Sequence, residues 1–203
     1  MKFIGIDIAK DTFVAAYPVL NGYQTKSYTN DLKGVKKFIT SFSNTEHHCV
    51  LEATGNYGML LLYSLCTQNV AVSLINPKQI KYFARMMMTV TKTDHVDARL
   101  IALYGEKMNP SLYKMPADTI IAMKQKKVVL RQLKKQLTSL GNLKESLNVL
   151  PQLDKYSLGV LNKTIKFLEN QIQNLEADLA NIAQEEFSAQ IKSLTSIKGI
   201  GIT

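Results

Sequence analysis

Leucine and isoleucine recur through the last third of the chain at the spacing of a helical seam. Eight of them alternate three and four residues apart, which is typical of a coiled coil or a long helical hairpin: Leu158, Leu161, Ile165, Leu168, Ile172, Leu175, Leu179 and Ile182. A shorter seam precedes it, at Leu130, Leu133, Leu137 and Leu140. Pro151 lies between the two seams and predicts a bend between two antiparallel helices. The spacing leaves open whether the seam packs within one chain or against a second copy.

The charge along the same region is uneven. Residues 114–144 contain eight basic residues and one acidic residue, whereas residues 145–191 contain three basic and seven acidic residues. The whole chain has a formal net charge of +9 at pH 7. Such a basic block indicates a polyanionic partner, usually nucleic acid, although a solvated basic helix without a specific ligand explains it equally well. The candidate phosphate-binding residues of this block are Lys124, Lys126, Lys127, Arg131, Lys134 and Lys135.

The first 110 residues have the alternating pattern of an α/β domain. Short apolar runs rich in β-branched residues predict strands, and amphipathic stretches between them predict helices. The predicted strands span residues 2–8, 12–19, 24–29, 47–53 and 70–75, and the predicted helices span residues 32–41, 60–68, 78–88 and 94–107. Strands in succession, followed by strands that alternate with helices, predict a mixed sheet with helices on its faces.

The composition excludes several classes of protein. No apolar stretch reaches the roughly 18–20 residues that span a bilayer, and charged residues interrupt the N-terminus too early for a signal peptide. Cys49 and Cys66 are too few for a disulfide framework and are expected to be reduced thiols. The 203 residues allow one domain with an appendage, or two small domains. We therefore expect a cytoplasmic protein that does not bind membranes.

Four acidic residues occupy positions where acids are disfavoured. Asp7 lies inside the apolar first strand, and Glu52 ends another apolar strand. Asp94 and Asp97 begin a helix three residues apart and therefore share one of its faces. Each acid alone has an ordinary explanation, such as a helix cap, a dipole partner or a carboxylate paired with lysine. Together they predict that three distant segments bring acids to one site.

Carboxylates that converge in a partly buried site repel one another unless a cation joins them. Oxygen ligands without cysteine or histidine suit Mg²⁺ or Mn²⁺. Two such ions roughly 3.5–4 Å apart can activate water or a hydroxyl and stabilise the leaving oxygen of a phosphodiester. Three basic residues flank the acids and can hold phosphates near the metal, unless they are ordinary solvated cations: Lys10, Lys92 and Arg99.

Five short segments in a fixed order give the chain a family resemblance. They are residues 5–11, 51–57, 76–79, 83–84 and 92–98, which read GIDIAKD, LEATGNY, NPKQ, FA and KTDHVDA. Together they resemble the DEDD-type transposases of bacterial insertion sequences, relatives of the Piv and MooV DNA invertases. The segment 92–98 is the most specific of the five, and the resemblance covers most of residues 1–110.

The resemblance implies both a fold and a function. It implies an α/β fold of the RuvC-like ribonuclease H type over residues 1–115, followed over residues 116–192 by an α-helical coiled-coil hairpin that assembles a homodimer or a higher homo-oligomer. It also implies that the catalytic, metal-binding acids are Asp7, Glu52, Asp94 and Asp97. Family members act on DNA and are understood to use a structured guide RNA, so the implied partners are DNA and RNA.

Members of this family continue into a second domain that supplies a nucleophilic serine. Residues 193–203 resemble the Gly-rich start of that domain, and the serines Ser193 and Ser196 precede its motif and are poor candidates for the nucleophile. Whether it is a fragment or a shortened natural copy, we expect this chain to bind metal and nucleic acid without completing recombination.

Two other functions are compatible with parts of the sequence. An actin-like ATPase or a sugar kinase also opens with a strand that ends in Gly-x-Asp, but the second Asp-x-Gly phosphate loop of that fold is not found here. A non-catalytic module that binds nucleic acid and dimerises requires only the basic block and the seam. Metal-dependent nicking of DNA would distinguish the transposase from this module, and nucleotide-stimulated phosphate release would favour the kinase.

Overall fold

The computed structural model describes residues 1–53, 55–89, 91 and 93–197. The chain divides into two compact units, Met1–Met115 and Pro116–Thr203. We call the first the α/β unit. Its elements, in chain order, are β1 (Lys2–Ile8), β2 (Thr12–Val19), β3 (Gly22–Thr29), α1 (Leu32–Ile39), β4 (His47–Glu52), a 3₁₀ turn (Gly55–Gly58), α2 (Met59–Thr67), β5 (Ala71–Ile75), α3 (Pro77–Met86) and α4 (Asp94–Met108).

The strands form one mixed sheet in the order β3-β2-β1-β4-β5. β1 pairs antiparallel with β2, and β2 pairs antiparallel with β3. β4 pairs parallel with β1, and β5 pairs parallel with β4. Because β1, β4 and β5 run in the same direction, their carboxyl ends meet at one edge of the sheet, which we call the carboxyl edge.

Helices cover both faces of this sheet. Ile6 of β1 belongs to the larger core together with Phe38 of α1 and Leu61 of α2. On the opposite face, Val50 of β4 packs in a second core with Ile101 of α4. Alternate strand residues point to opposite faces, so the apolar runs bury both sides of the sheet. A mixed sheet flanked by helices is the predicted fold class, a RuvC-like α/β fold, and this prediction is confirmed.

Helix α3 differs from its predicted bounds at both ends. The prediction of residues 78–88 begins one residue late, because Pro77 occupies the first helical turn and the Asn76 side chain caps it by accepting from the Lys78 backbone N–H at 2.9 Å. It also extends too far, because Met87 caps the helix and Met88 has a φ of 53°, which a right-handed helix does not allow.

Helix α4 approaches β1 more closely than side chains on both elements would allow. A Cβ atom on Gly5 would lie 2.1 Å from the backbone nitrogen of Ala102 and 2.2 Å from the carbonyl oxygen of Ala98. On the helix, a Cβ atom on Gly105 would lie 2.8 Å from the ring of Phe3. Small residues on both elements therefore place the helix backbone directly on the central strand.

The second unit contains the predicted helical hairpin. Its helices are α5 (Asp118–Asn148) and α6 (Lys155–Thr195), and Pro151 lies in the connection between them, as the sequence predicts. Three seam residues of α6 are buried: Leu161, Leu168 and Ile172. The seam thus packs at least partly within one chain. Of the segment predicted to open a further domain, residues 198–203 lie outside the described residues.

Ion pairs cross the hairpin from the basic helix to the acidic one. Lys126 of α5 pairs with Asp178 of α6, and Lys134 Nζ lies 2.6 Å from Glu176 Oε1. Part of the uneven charge seen in the sequence is therefore neutralised inside this unit.

Within the described ranges, no helix combines the length and the apolar composition that a membrane-crossing segment needs. Cys49 is buried and Cys66 is half-buried, and both are free thiols.

Candidate functional site

The sheet topology brings two of the predicted acids to the carboxyl edge. Ile6 of β1 pairs with Leu51 of β4, so the next residues, Asp7 and Glu52, lie level on neighbouring strands. Both side chains are half-buried. The parallel pairing of β1 and β4 thus explains how acids 45 positions apart in the sequence come to the same place.

Helix α4 brings the other two acids towards the same edge. Its backbone contacts Gly5 at Ala98 and Ala102, and Gly105 packs further back, on Phe3. The helix therefore runs opposite to β1, and its first turn, with Asp94 and Asp97, extends towards the end of β1. Asp94 is exposed and Asp97 is half-buried.

Hydrogen bonds fix both ends of α4 on the sheet. Thr93 caps the helix by accepting from the Val96 backbone N–H at 3.2 Å, so Asp94 is not the cap. His95 Nδ1 lies 2.9 Å from the hydroxyl of Thr25 on β3. These contacts hold the acidic first turn in place, and they remove one ordinary explanation for Asp94. At the far end, the Tyr23 hydroxyl donates to a carboxylate oxygen of Glu106 at 2.7 Å.

The four acids interact electrostatically at Asp7. Burial raises the pKa of the Asp7 carboxyl, and the negative charges of Asp97, Asp94 and Glu52 raise it further, to about 6, against a smaller opposing effect of a backbone hydrogen bond from Ile8. An acid with this pKa is mostly ionised at neutral pH, but it takes up a proton at a much higher pH than an ordinary aspartate does. A bound cation would relieve the repulsion among these four carboxylates.

The donor chemistry of this acid cluster (Asp7, Glu52, Asp94 and Asp97) fits Mg²⁺ or Mn²⁺, because every candidate ligand is a carboxylate oxygen. Among the residues that the structure describes, however, no three histidine, cysteine or acidic side chains are close enough together to hold a metal ion as they stand. The acids are thus near enough to feel one another's charge but are not arranged as a ready-made coordination shell.

Asn30 joins the loops that follow the two acid-bearing strands. Its side-chain Nδ2 donates to the carbonyl oxygens of Ala9 at 3.0 Å, Lys10 at 3.3 Å and Tyr57 at 2.9 Å. Ala9 and Lys10 follow β1, and Tyr57 lies in the turn after β4. The helix cap of α1 is its neighbour, Asp31, whose side chain accepts from the Gly34 backbone N–H. The bridging role of Asn30 depends on tertiary contacts and has no signal in the sequence.

Removing the Asn30 side chain is expected to loosen both loops. Asn30→Ala leaves three carbonyl groups without their shared donor, so we expect a loss of about 1–3 kcal/mol in the free energy of unfolding. Urea denaturation checks this value. Asn21→Ala, in the exposed turn between β2 and β3, is the matched control and should change stability by less than about 0.5 kcal/mol. Equal stability of Asn30→Ala and wild type would show that these bonds do not hold the loops.

The predicted basic site residues are distributed over both units. Lys10 is exposed in the turn after β1, Arg99 is exposed on α4, and Lys92 lies outside the described residues. Lys126 and Lys134 form the hairpin ion pairs described above. Nucleic acid would therefore have to compete with α6 for these two. The remaining four candidates on α5 are exposed: Lys124, Lys127, Arg131 and Lys135.

The comparisons with known proteins agree with this architecture. The family model of the IS110-type DEDD transposases, described as "Transposase", matches residues 4–152. The relatives include two proteins called "Pilin gene-inverting protein", from Moraxella bovis and Moraxella lacunata. Each is 31% identical over 211 aligned positions, which cover 98% of this chain and 62% of the relative. The chain thus spans about 62% of the length of these curated relatives. Because the family match extends over well more than half of its residues, the chain belongs to the IS110-type DEDD transposase family.

Proposed function

We propose that residues 1–115 form the metal-dependent catalytic unit of a DNA transposase or recombinase. The acid cluster holds Mg²⁺ or Mn²⁺ and acts on DNA phosphodiesters. One observation supports the proposal above all others: partial burial and three carboxylates from two other segments together raise the pKa of Asp7. Acidic residues that only stabilise a fold lie apart from one another or beside cations, because repulsion between neighbouring carboxylates destabilises the folded state.

Each part of the cluster has its own task in this proposal. When bound, the metal supplies Lewis-acid stabilisation of charge on phosphate oxygens. Asp7 and Glu52 provide ligands on rigid neighbouring strands, whereas Asp94 and Asp97 provide ligands from a helix end. Lys10 and Arg99, both exposed, hold backbone phosphates at its rim.

The names of the relatives indicate the reaction class. A protein that inverts a gene must break and rejoin DNA strands, and we extend this class of reaction to the present chain. The proposed site of action is the cytoplasm, and the proposed partners are DNA and a structured guide RNA held by the exposed cations of α5. The proposal covers the steps that the acid cluster can perform. It assigns no nucleophilic serine among the described residues.

We further propose that the hairpin serves assembly into a homodimer or a higher homo-oligomer. Several large apolar side chains of α5 and α6 stay exposed in the single chain, at about half or more of their surface, among them Val128, Val129, Val160 and Phe167. A second copy of the hairpin would cover such residues, because coiled-coil partners bury apolar stripes against each other.

A non-catalytic module that binds nucleic acid is the second candidate. It is favoured by one observation: the described acids do not form a ready-made metal shell. In that case the acids would set the stability of the carboxyl edge, and binding would depend on the basic helix alone.

Thermal melting in the presence of metal separates the two candidates. Mg²⁺ or Mn²⁺ should raise the melting temperature of wild type, because a ligand at a hundredfold excess over its Kd stabilises the folded state by about 2.7 kcal/mol. Glu52→Gln and Asp97→Asn should lose this shift. Glu46→Gln, an exposed acid just before the opposite end of β4, is the matched control and should keep it.

Cleavage provides the second measurement. Wild type should nick DNA only when Mg²⁺ or Mn²⁺ is present, and the two cluster variants should not. If all four proteins respond equally to metal, or if none responds, the acids do not form a metal site and the non-catalytic module is the better conclusion.

A further inference from the structure

The exposed face of helix α3 is a cationic surface. Three basic residues and one tyrosine recur on it at helical spacing: Lys78, Lys81, Tyr82 and Arg85. All four are exposed, and the tyrosine ring is 62% exposed. The helix contains no acidic residue, and in the described part of the chain no salt bridge involves any of the three cations. We call these four residues the α3 face.

The opposite side of α3 is anchored in the core. Ile80 and Phe83 are buried, and the Phe83 ring packs edge-on against Tyr104 of α4 with centroids 5.2 Å apart. Both anchors belong to the core that also contains Val50 and Ile101. The helix therefore cannot turn over, and it presents the α3 face to solvent in a fixed orientation.

The strand register places this face beside the acid cluster. Glu52, the last residue of β4, pairs with Ile75, the last residue of β5. Helix α3 begins two residues later, at Pro77, so it starts at the same carboxyl edge as the acids. From there the α3 face extends away from the edge, with about one helical turn of 5.4 Å between successive basic positions.

The composition of the surface indicates the ligand. Unpaired cations in a row attract a polyanion, and an exposed aromatic ring between them can stack on a base. Base stacking requires an unpaired base, so the surface suits a single strand better than a duplex. Met86 follows Tyr82 by one turn and is also exposed, which extends the apolar stripe on which a base can rest.

We propose that the α3 face binds single-stranded DNA and guides it to the acid cluster. This inference rests on the proposed function, because it is the acid cluster that makes DNA the expected strand. Lys78, Lys81 and Arg85 contact successive backbone phosphates, and Tyr82 stacks on an unpaired base. The four residues are positioning residues for the substrate and take no part in the chemistry.

Fluorescence anisotropy of the 203-residue chain with a short fluorescein-labelled single strand of DNA tests this surface. The measurement is made in EDTA, so that binding does not depend on metal. Replacing three phosphate-binding cations should weaken binding about 100-fold at about 0.1 M salt and reduce the salt slope by about 2. The variant is Lys78→Ala/Lys81→Ala/Arg85→Ala. The matched control, Lys33→Ala/Lys36→Ala/Lys37→Ala on α1, removes the same charge from exposed sites and should change little.

The tyrosine is tested separately from the charge. Tyr82→Ala should weaken binding about fivefold or more without changing the salt slope, because stacking does not release counterions. Tyr82→Phe keeps the ring and should bind as wild type does. Tyr63→Ala, which removes another exposed tyrosine from α2, should have no effect. Melting curves of every variant show whether the fold is intact.

The outcomes distinguish this inference from the proposed function. Wild-type binding by a folded triple α3 variant, or equal losses in the α1 control, would overturn the α3 face while leaving the metal response of the acids untouched. Tighter binding of an RNA strand than of DNA with the same sequence would overturn the choice of DNA. If metal does not raise the melting temperature of wild type, while DNA binding is still weakened by the triple α3 variant, the catalytic proposal is rejected and the α3 face stands.

Discussion

Gly5→Ala is expected to destabilise the α/β unit strongly, because the added methyl group would meet the backbone of α4. The added Cβ would lie 2.1 Å from a backbone atom of α4, so no side-chain rotation can make room for it. Overpacking in a core commonly costs about 1–3 kcal/mol, and a backbone obstacle places this variant at or above the top of that range. Urea denaturation should show a clear fall in midpoint.

The same substitution should also weaken the response to metal. Helix α4 must move outward by more than about 1 Å to reach an ordinary contact distance, and it takes Asp94 and Asp97 with it. Gly58→Ala is the matched control, since its nearest neighbour is a flexible side-chain end of Ile8 at 3.2 Å. Normal stability of Gly5→Ala would mean that α4 does not pack on β1 as described.

Asp7→Asn is expected to stabilise the metal-free protein at neutral pH. Because burial and three neighbouring acids raise the pKa of Asp7 to about 6, the folded state binds the proton more tightly than the unfolded state does. The favourable contribution of Asp7 to the free energy of unfolding is therefore complete below about pH 4. It is lost as the pH rises to about 6, and it is absent above that. After allowing for solvent screening, the loss is about 2 kcal/mol.

The measurement is a series of thermal melts in EDTA between about pH 4 and pH 8. At neutral pH the variant should melt roughly 5 °C above wild type, and the difference should shrink towards pH 4. With Mg²⁺ present, wild type should gain stability and Asp7→Asn should not. Asp11→Asn, an exposed neighbour in the next turn, controls for the loss of one charge. Parallel pH profiles of wild type and Asp7→Asn would contradict the electrostatic cluster.

The strands and helices of the α/β unit could be predicted from the sequence because their signals are local. The first strand is apolar and β-branched and occupies the predicted residues, Lys2–Ile8. The residues that end elements were predicted less well. Helix α3 stops at Met86 because Met88 adopts a left-handed conformation, and nothing in a run of three methionines indicates which of them will do so.

The candidate site was only partly predictable, for a different reason. An acid inside an apolar strand is visible in the sequence, which is how Asp7 and Glu52 could be singled out. The mutual effect of the four acids depends on strand register and on the contact between Gly5 and α4, neither of which has a local pattern. Asn30 could not be found at all, because its three carbonyl partners belong to loops after two different strands.

The seam residues of the hairpin predict the helices but not the surface on which they pack. Their spacing predicts long helices, and α5 and α6 confirm this. The spacing does not identify the partner helix, because leucine packs equally well against its own chain or against another copy. The ion pairs at Lys126 and Lys134 favour packing within one chain, whereas the exposed Phe167 leaves an apolar surface for a second copy.

The position of β1 at the centre of the sheet also sets the order in which the chain can be built during synthesis. Strands β1, β2 and β3 are adjacent in sequence, so this hairpin ribbon can form as soon as it leaves the ribosome. The central strand must then wait for α4, about 90 residues later, before its second face is covered. At about 5–20 residues per second this delay lasts roughly 5–20 seconds, during which that face of the strand lacks its covering helix. The acid cluster is therefore among the last parts of the α/β unit to assemble, because two of its members, Asp94 and Asp97, lie on α4.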